Sequence, residues 1–248
     1  MHRFFVTVDV DWAPDWACDA LATALVDAGV ASTWFMTHRS PVLEDLRSES
    51  SIELGIHPNF LPGSSHGSTP LEVFETCLDF VPEAHVMRGH CLMQSTPIFQ
   101  TAIDATPIRL DSSIYLKDLR QVAVSPLHLR GGVMNRVPFV WEDDVEFQNP
   151  TPEWDAVELV AARDADDEIT IVNLHPIHVA LNSADPGPYG LLRALQPDTR
   201  AATAAQVDEV RERRLPGAAD FVRSIATLAA DPRMLTSETL SSLVSVRV

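Results

Sequence analysis

The chain reads "VTVDVDW" between Val6 and Trp12, and two carboxylates two positions apart, Asp9 and Asp11, close a run of β-branched and aromatic residues. Such a run is a buried-strand pattern. If the strand continues through it, both acids project from one face. Like charges converging there need a cation, a shared proton or open water. Imidazoles recur in the same position relative to later strand patterns. "SIELGI" leads to His57, with His66 nine positions on in a Gly/Ser-rich loop; "AHVMRG" leads to Arg88 and His90; "PIRL" to Asp111; "ITIVNL" to His175 and then His178. One carboxylate with two neutral imidazoles makes an open site for a divalent ion. The ion acidifies a bound water and polarises a carbonyl, a second carboxylate takes the water's proton, and a separate histidine protonates the leaving group. Those parts make a hydrolase of an acyl bond. Asp111, ahead of two serines, also suits an Asx-turn or helix cap, and His178, two past a proline, reads as incidental.

The elements that must hold these residues alternate regularly. "RFFVTV" precedes "DWACDALATALVDAG", where Asp15 suits an N-cap and Gly29 the C′ position. "ASTWFM" is a second strand and "SIELGI" a third. "TPLEVFETCLDF" opens as a capping box on Thr69 and Glu72 with Pro70 at the first helical position. Further strands are expected at "AHVMRG", "PIRLDS", "VMNRVPFVW" and "DEITIVNLH". Helices are expected at Thr203 to Arg214 and Ala218 to Ala230, a long loop at Leu181 to Gly190, and a short closing element around "RMLTSETLSSLVSV". Strand and helix in alternation mean βαβ units and a parallel sheet, whose sites form at the carboxyl ends of the strands. Residues 1–248 are read as one domain, with no internal repeat and no linker.

Composition narrows the function. The 248 residues are 46% hydrophobic and 21% charged, enough for one sizeable core. A net charge of -17 argues against nucleic acid as a partner. No apolar run is long enough to span a bilayer, and the first strand leaves no room for a signal peptide. Three cysteines without ligand spacing fit a reducing compartment, so a cytoplasmic protein is expected.

In order along almost the whole chain, "VTVDVDW", "GVASTWFMTH", "ELGIHPNF…SSHG", "MRGH", "IVNLHP" and "RMLTSETLSSL" resemble the successive motifs of the polysaccharide deacetylases, the NodB-homology or carbohydrate esterase 4 group. That resemblance implies an α/β fold, a distorted (β/α) barrel, one divalent ion with zinc first, and removal of N- or O-acetyl groups from sugars. It implies Asp9 as base, Arg88 as the residue that positions it, His175 as general acid, and Asp11, His57 and His66 as metal ligands. His90 competes for the third ligand place, and otherwise joins Asp111 and Trp141 as substrate-binding candidates. Two departures stand out: Val10 separates aspartates that are adjacent in the usual motif, and the two histidines are nine apart rather than four. The first leaves the base and ligand roles interchangeable on sequence grounds. The implied substrate is an acetylated saccharide, nucleotide-linked, lipid-linked or short, of the kind used in surface-polysaccharide biosynthesis. The alternatives are hydrolysis of another non-peptide amide, or a degenerate domain that binds saccharide or a partner protein without turnover.

Overall fold

The computed structural model describes residues 2–117, 119–163, 169–231 and 235–244. In chain order its N-terminal half runs β1 (His2–Asp9), α1 (Asp15–Asp27), β2 (Ser32–Met36), α2 (Val42–Ser48), β3 (Ile52–Ile56), α3 (Pro70–Phe80), β4 (Val86–Met87), α4 (Thr96–Ala105) and β5 (Leu110–Tyr115). A hairpin comes next, β6 (Ser125–Leu129) and β7 (Gly132–Phe139), then β8 (Trp141–Glu142), α5 (Asp143–Glu146) and α6 (Ala156–Ala161). The chain continues through β9 (Ile169–Leu174), α7 (Pro176–Leu181), α8 (Gly187–Leu195), α9 (Ala204–Val210), α10 (Ala218–Ala229) and β10 (Leu235–Ser237).

The strands lie in the order β6-β7-β5-β4-β3-β2-β1-β9-β8, with β10 beside the start of β1, and every pairing is parallel except β6 with β7. The sheet closes on itself because β7 and β8 are one strand interrupted at Val140. Its first part pairs with β5, and its end pairs with β9 through Trp141–Val172 and Glu142–Asn173. The Val140 N–H donates to Ile171 O at 2.9 Å across the junction. The result is a distorted (β/α) barrel of the expected kind, with β6 as an antiparallel flap and β10 as a short addition.

Period-two alternation in β1 sorts its side chains between the two faces of the barrel wall. Phe4, Val6 and Val8 pack outward with Leu21 and Leu25 of α1 and Phe221 and Ile225 of α10. Phe5 turns inward to join Phe35, Val86, Leu110, Val137, Phe139 and Ile171, one layer drawn from nearly every barrel strand. The β3 member of that layer is Gly55, paired with Phe35. A Cβ at Gly55 would lie 2.7 Å from Val86 Cγ2 and 2.9 Å from both Phe35 Cδ1 and Val86 O, so glycine is what lets the narrow barrel fill with large neighbours.

Local chemistry places most of the boundaries. Thr69 and Glu72 form the expected capping box on α3, and Gly29 adopts φ 68° just past α1. Four expectations are corrected. Pro14, not Asp15, caps α1; the Asp15 carboxylate instead accepts from Ser40 Oγ at 2.6 Å. The stretch read as a loop over 181–190 already contains the start of α8 at Gly187, where Gly187 and Pro188 open the helix. α9 ends at Val210 rather than Arg214, and Arg213 folds back to pair with Asp208 at 2.8 Å. β7 falls on the strand expected at "VMNRVPFVW", but its antiparallel partner β6, reached through a turn at Gly131 (φ 83°), was not expected. The acidic start of "DEITIVNLH" and parts of "RMLTSETLSSLVSV" lie outside the described residues.

Gly55→Ala should therefore cost about 1–3 kcal/mol by overpacking the barrel interior. Urea unfolding would measure it. An unchanged midpoint would mean that Phe35 and Val86 give way freely.

Candidate active site

The sequence-level residues meet at the carboxyl ends of the strands. β1 ends at Asp9, whose side chain is buried. Asp11 does not continue the strand face, contrary to the alternation argument. Asp11 and Trp12 have φ of 45° and 52°, and the turn closes with Ala13 N–H on Val10 O at 2.8 Å. Trp12 N–H also donates to Thr37 Oγ1 at 3.1 Å, after β2. The turn brings Asp11 Oδ1 to 3.1 Å from His57 Nε2 and 3.0 Å from His90 Nδ1. The two imidazole nitrogens lie 3.3 Å apart.

These three atoms are spaced as the ligands of one small ion. Bonds of 2.0–2.1 Å in a tetrahedron put ligand atoms about 3.3 Å apart, and two imidazoles with one carboxylate leave a fourth position open. The donor set fits a divalent ion. His57 is buried, and its Nδ1 finds no partner, so Nε2 is the atom that serves the cluster. Burial opposes ionisation of Asp11, but His57, His90 and His175 outweigh it and hold its pKa well below the ordinary value.

His66 is not brought to this cluster. Its Nε2 donates to Thr37 O at 2.7 Å and its Nδ1 accepts from Asn59 N–H at 3.1 Å, so both nitrogens stitch its own loop to the end of β2. Burial lowers its pKa. His90, three residues past β4, stands at the third vertex instead.

Asp9 sits deeper, 3.8 Å from His57 Nε2, in a network of its own. Arg88 Nη1 donates to Asp9 Oδ1 at 3.0 Å and also to Asn173 Oδ1. Asn173 Nδ2 donates to Asp9 Oδ2 at 3.0 Å and to Glu142 Oε1 at 2.8 Å, while Thr7 Oγ1 donates to Asn173 Oδ1 at 2.9 Å. The amide orientation is dictated by its neighbours: a flip would turn oxygen toward two carboxylates and NH2 toward a guanidinium.

His175 is the cap of α7, directly after β9. Its ring Nδ1 donates to Asp143 Oδ1 at 2.6 Å and its backbone N–H to Asp143 Oδ2 at 2.8 Å. Nε2 is thereby left toward the cluster, 3.7 Å from Asp11 Oδ2. Burial opposes its charge, but Asp143, Asp144 and Asp11 prevail and hold the pKa well above that of a free imidazole. Beside it, Glu142 is pushed up to about 8 by burial first, then by Asp144.

Residues 6–193 match the WbmS-like polysaccharide deacetylase family. The chain belongs to that family. It is also similar to a crystal structure from Bordetella bronchiseptica of a protein assigned as a polysaccharide deacetylase involved in O-antigen biosynthesis. The TM-score is 0.76 at 30% identity, over 90% of this chain and 89% of that chain. No curated protein sequence matches the chain.

Set within this deacetylase family, the remaining sequence-level candidates fall away from the cluster. Asp111 is wholly buried in β5, where Ser113 Oγ donates to it and Arg136 Nε donates to Oδ2 at 3.0 Å; it is neither a turn nor a cap. Trp141 is stacked on Phe221 with ring centroids 3.6 Å apart, its Nε1 on Glu153 O at 3.0 Å, so it packs the barrel against α10 rather than lining the mouth. His178 is more than incidental. It is buried with Nδ1 on Ser183 Oγ at 3.1 Å and its ring edge-on to His175 at 5.6 Å. Asp143, Glu142 and Asn173 were missed. The signal was present in "WEDD", three acids straight after a strand pattern, and in one amide inside the apolar run "ITIVNL".

Two outcomes are expected. His57→Ala and His90→Ala should each weaken divalent-ion binding by more than about 100-fold, beyond what losing an outer partner costs, while His66→Ala retains the ion. Elemental analysis after dialysis distinguishes the three. His178 has a pKa lowered to about 4, by burial first and then the charge of His175. Between about 6.5 and 4 the unfolded chain therefore binds a proton that the folded one refuses, and stability falls as pH drops through that window. His178→Gln should remove up to about 3 kcal/mol of that fall, read as a smaller difference between unfolding free energies at pH 7 and pH 4.5.

Proposed function

We propose that the protein is a metal-dependent hydrolase that removes an acetyl group from an acetylated saccharide. The observation that carries the reading is the separation of duties around one cluster: Asp11, His57 and His90 offer three ligand atoms, Asp9 is clamped by Arg88 and Asn173, and His175 is clamped by Asp143. When bound there, a divalent ion, zinc first, would bring the pKa of its water to about 7 and polarise the acyl oxygen. Asp9 accepts the proton of the attacking water. Its two oxygens each receive one N–H, from Arg88 and from Asn173, which fixes the carboxylate plane. His175, charged and with its Nδ1–H directed at Asp143, delivers the proton on Nε2 to the departing sugar nitrogen or oxygen. This assigns Asp11 as the ligand and Asp9 as the base.

Family membership supports a saccharide as the substrate, and the Bordetella relative's part in O-antigen biosynthesis supports a surface polysaccharide precursor. Among the described residues no helix is long and apolar enough to cross a membrane. We place the reaction in the cytoplasm on a nucleotide-linked, lipid-linked or short saccharide, in a chain organised as one domain. A saccharide-binding domain without turnover is the competing reading, favoured by the nine-residue histidine spacing. It is weakened by His90, whose Nδ1 lies at the vertex His66 leaves open.

Acetate release from a panel of N- and O-acetylated sugars, with the metal-loaded protein, is the test. Asp9→Ala and His175→Ala should each lower kcat by about 10²–10⁴ with ion content unchanged. Undiminished turnover in both variants would remove the assignment. Absence of acetate release from every sugar, alongside hydrolysis of simple amides, would favour the amidase alternative.

A further inference from the structure

The turn that carries His90 is strained. After β4 the chain passes Arg88 and Gly89 to reach His90, and the next two residues, Cys91 and Leu92, have φ of 53° and 54°. Two consecutive non-glycine residues in the left-handed region are costly, and such a path persists only where its surroundings over-determine it. The turn is also tight, because a Cβ on Gly89 would lie 2.3 Å from Met93 O. Neither Cys91 nor Leu92 favours this conformation by itself, so the restraint comes from neighbouring elements.

β5 supplies it. The ladder between β5 and β7 shifts register between Asp111 and Ile114, which leaves Ser112 and Ser113 at an irregularity of the strand. Ser112 serves Arg88, through its carbonyl and its hydroxyl. Ser113 serves both ends of the turn. Its Oγ accepts from Gly89 N–H at 2.8 Å, and its carbonyl accepts from Gln94 Nε2 at 2.7 Å. The hydroxyl donates its own proton to Asp111 Oδ1, which turns its lone pairs toward Gly89. Arg136 closes the ring, with Nε on Asp111 Oδ2 at 3.0 Å and Nη2 on Gln94 Oε1. On its other side the turn is tied to the His57 loop by His90 N–H on Pro58 O at 2.9 Å. A buried carboxylate is an expensive way to fill a barrel wall, which apolar residues would close more cheaply. Asp111 has no exposed surface, and its bonds lead to the two residues that grip the turn.

We propose that Asp111, Ser113 and Gln94 are positioning residues for the third ligand place: they clamp both ends of the turn at 89–94 and so hold His90 Nδ1 3.0 Å from Asp11 Oδ1 and 3.3 Å from His57 Nε2. The clamp rests on the reading of that cluster as a metal centre, and not on the identity of the acyl group or of the substrate.

Titration of the metal-free protein with Zn²⁺ and with Co²⁺ tests it without any substrate. Ser113→Ala and Gln94→Ala should each weaken ion binding by about tenfold, as loss of an outer partner does. In a His90→Ala background Ser113→Ala should cost no further affinity, because the ligand it holds is gone. Thr106→Val is the control. Thr106 Oγ1 also accepts a backbone N–H, from Ile108 at 3.1 Å, but it lies at the end of α4, ahead of β5 and away from the mouth. Its loss should lower the urea midpoint and leave ion affinity unchanged. Unchanged affinity in both Ser113→Ala and Gln94→Ala overturns the clamp while the metal centre stands. So does a Ser113→Ala loss that persists undiminished without His90, since the serine would then act on the fold at large. If Ser113→Ala fails to fold, Gln94→Ala, at a half-buried position, decides alone. A wild type that binds neither ion removes the metal centre and the clamp together.

Discussion

A guanidinium with no exposed surface lies inside the barrel, and the rest of the site depends on it. Removing a charge of that size from water costs several kcal/mol unless it is paired and hydrogen-bonded. Arg88 has partners for four of its five N–H groups, with Nε on Ser112 O at 2.9 Å, Nη2 on Ser112 Oγ at 3.1 Å, and Nη1 on Asp9 and Asn173. Its flat faces lie against Phe139 and Phe35, 4.1 and 4.7 Å from the ring centroids. These contacts reach β5, β1, β9, β2 and β7, so one side chain cross-links strands that are far apart in sequence. Asp9 depends on it in turn. A buried carboxylate with that partner removed would have only an amide to hold it.

Above Arg88 the balance of charge tips the other way. Asp9, Asp11, Glu142, Asp143 and Asp144 crowd the mouth of the barrel, and among them stand three imidazoles. Crowding of this kind moves pKa values in the directions that restore neutrality. Glu142 rises to about 8 and Asp144 rises with it, both through burial first, while His175 is held charged by Asp143, Asp144 and Asp11. The protein supplies fewer positive charges here than acids. A divalent ion at Asp11, His57 and His90, as proposed, would be the natural complement, and its field would act on every one of these groups.

Much of this was legible in the sequence because the rule involved is topological. In a parallel barrel the residue after a strand arrives at one end. The residues just past each apolar run were therefore enough to bring Asp9, His57, Arg88, His90 and His175 together without a single distance being known. The same rule included Asp111 wrongly, because Ser113 and Arg136 satisfy it within the wall rather than at the mouth. It was not applied to "VMNRVPFVW", whose following acids Glu142, Asp143 and Asp144 the same rule would have added. Trp141 had the right residue type and the wrong face. Loop geometry was closed to sequence altogether: a spacing of nine positions from His57 to His66 is a reach a loop can make, and only the two backbone bonds of the His66 ring decide that it does not.

The separation of the aspartates by Val10 shows why spacing alone could not assign their roles. On a continuing strand Asp11 would stack above Asp9 on the same face, two carboxylates competing for one cation. The left-handed turn at Asp11 and Trp12 breaks that alignment. It leaves Asp9 below, committed to Arg88 and Asn173, and brings Asp11 in from the side with one oxygen toward His57 and His90 and the other toward His175. The two aspartates are therefore distinguished by a local backbone conformation rather than by order in the chain, and the proposed roles of base and ligand follow that distinction. Because that conformation is held by Thr37 and by Ala13 on Val10, its cost is met by bonds that also fix the indole beside the mouth. A single strained turn thus positions the candidate ligand Asp11 and the indole of Trp12 together, and neither could be moved without the other.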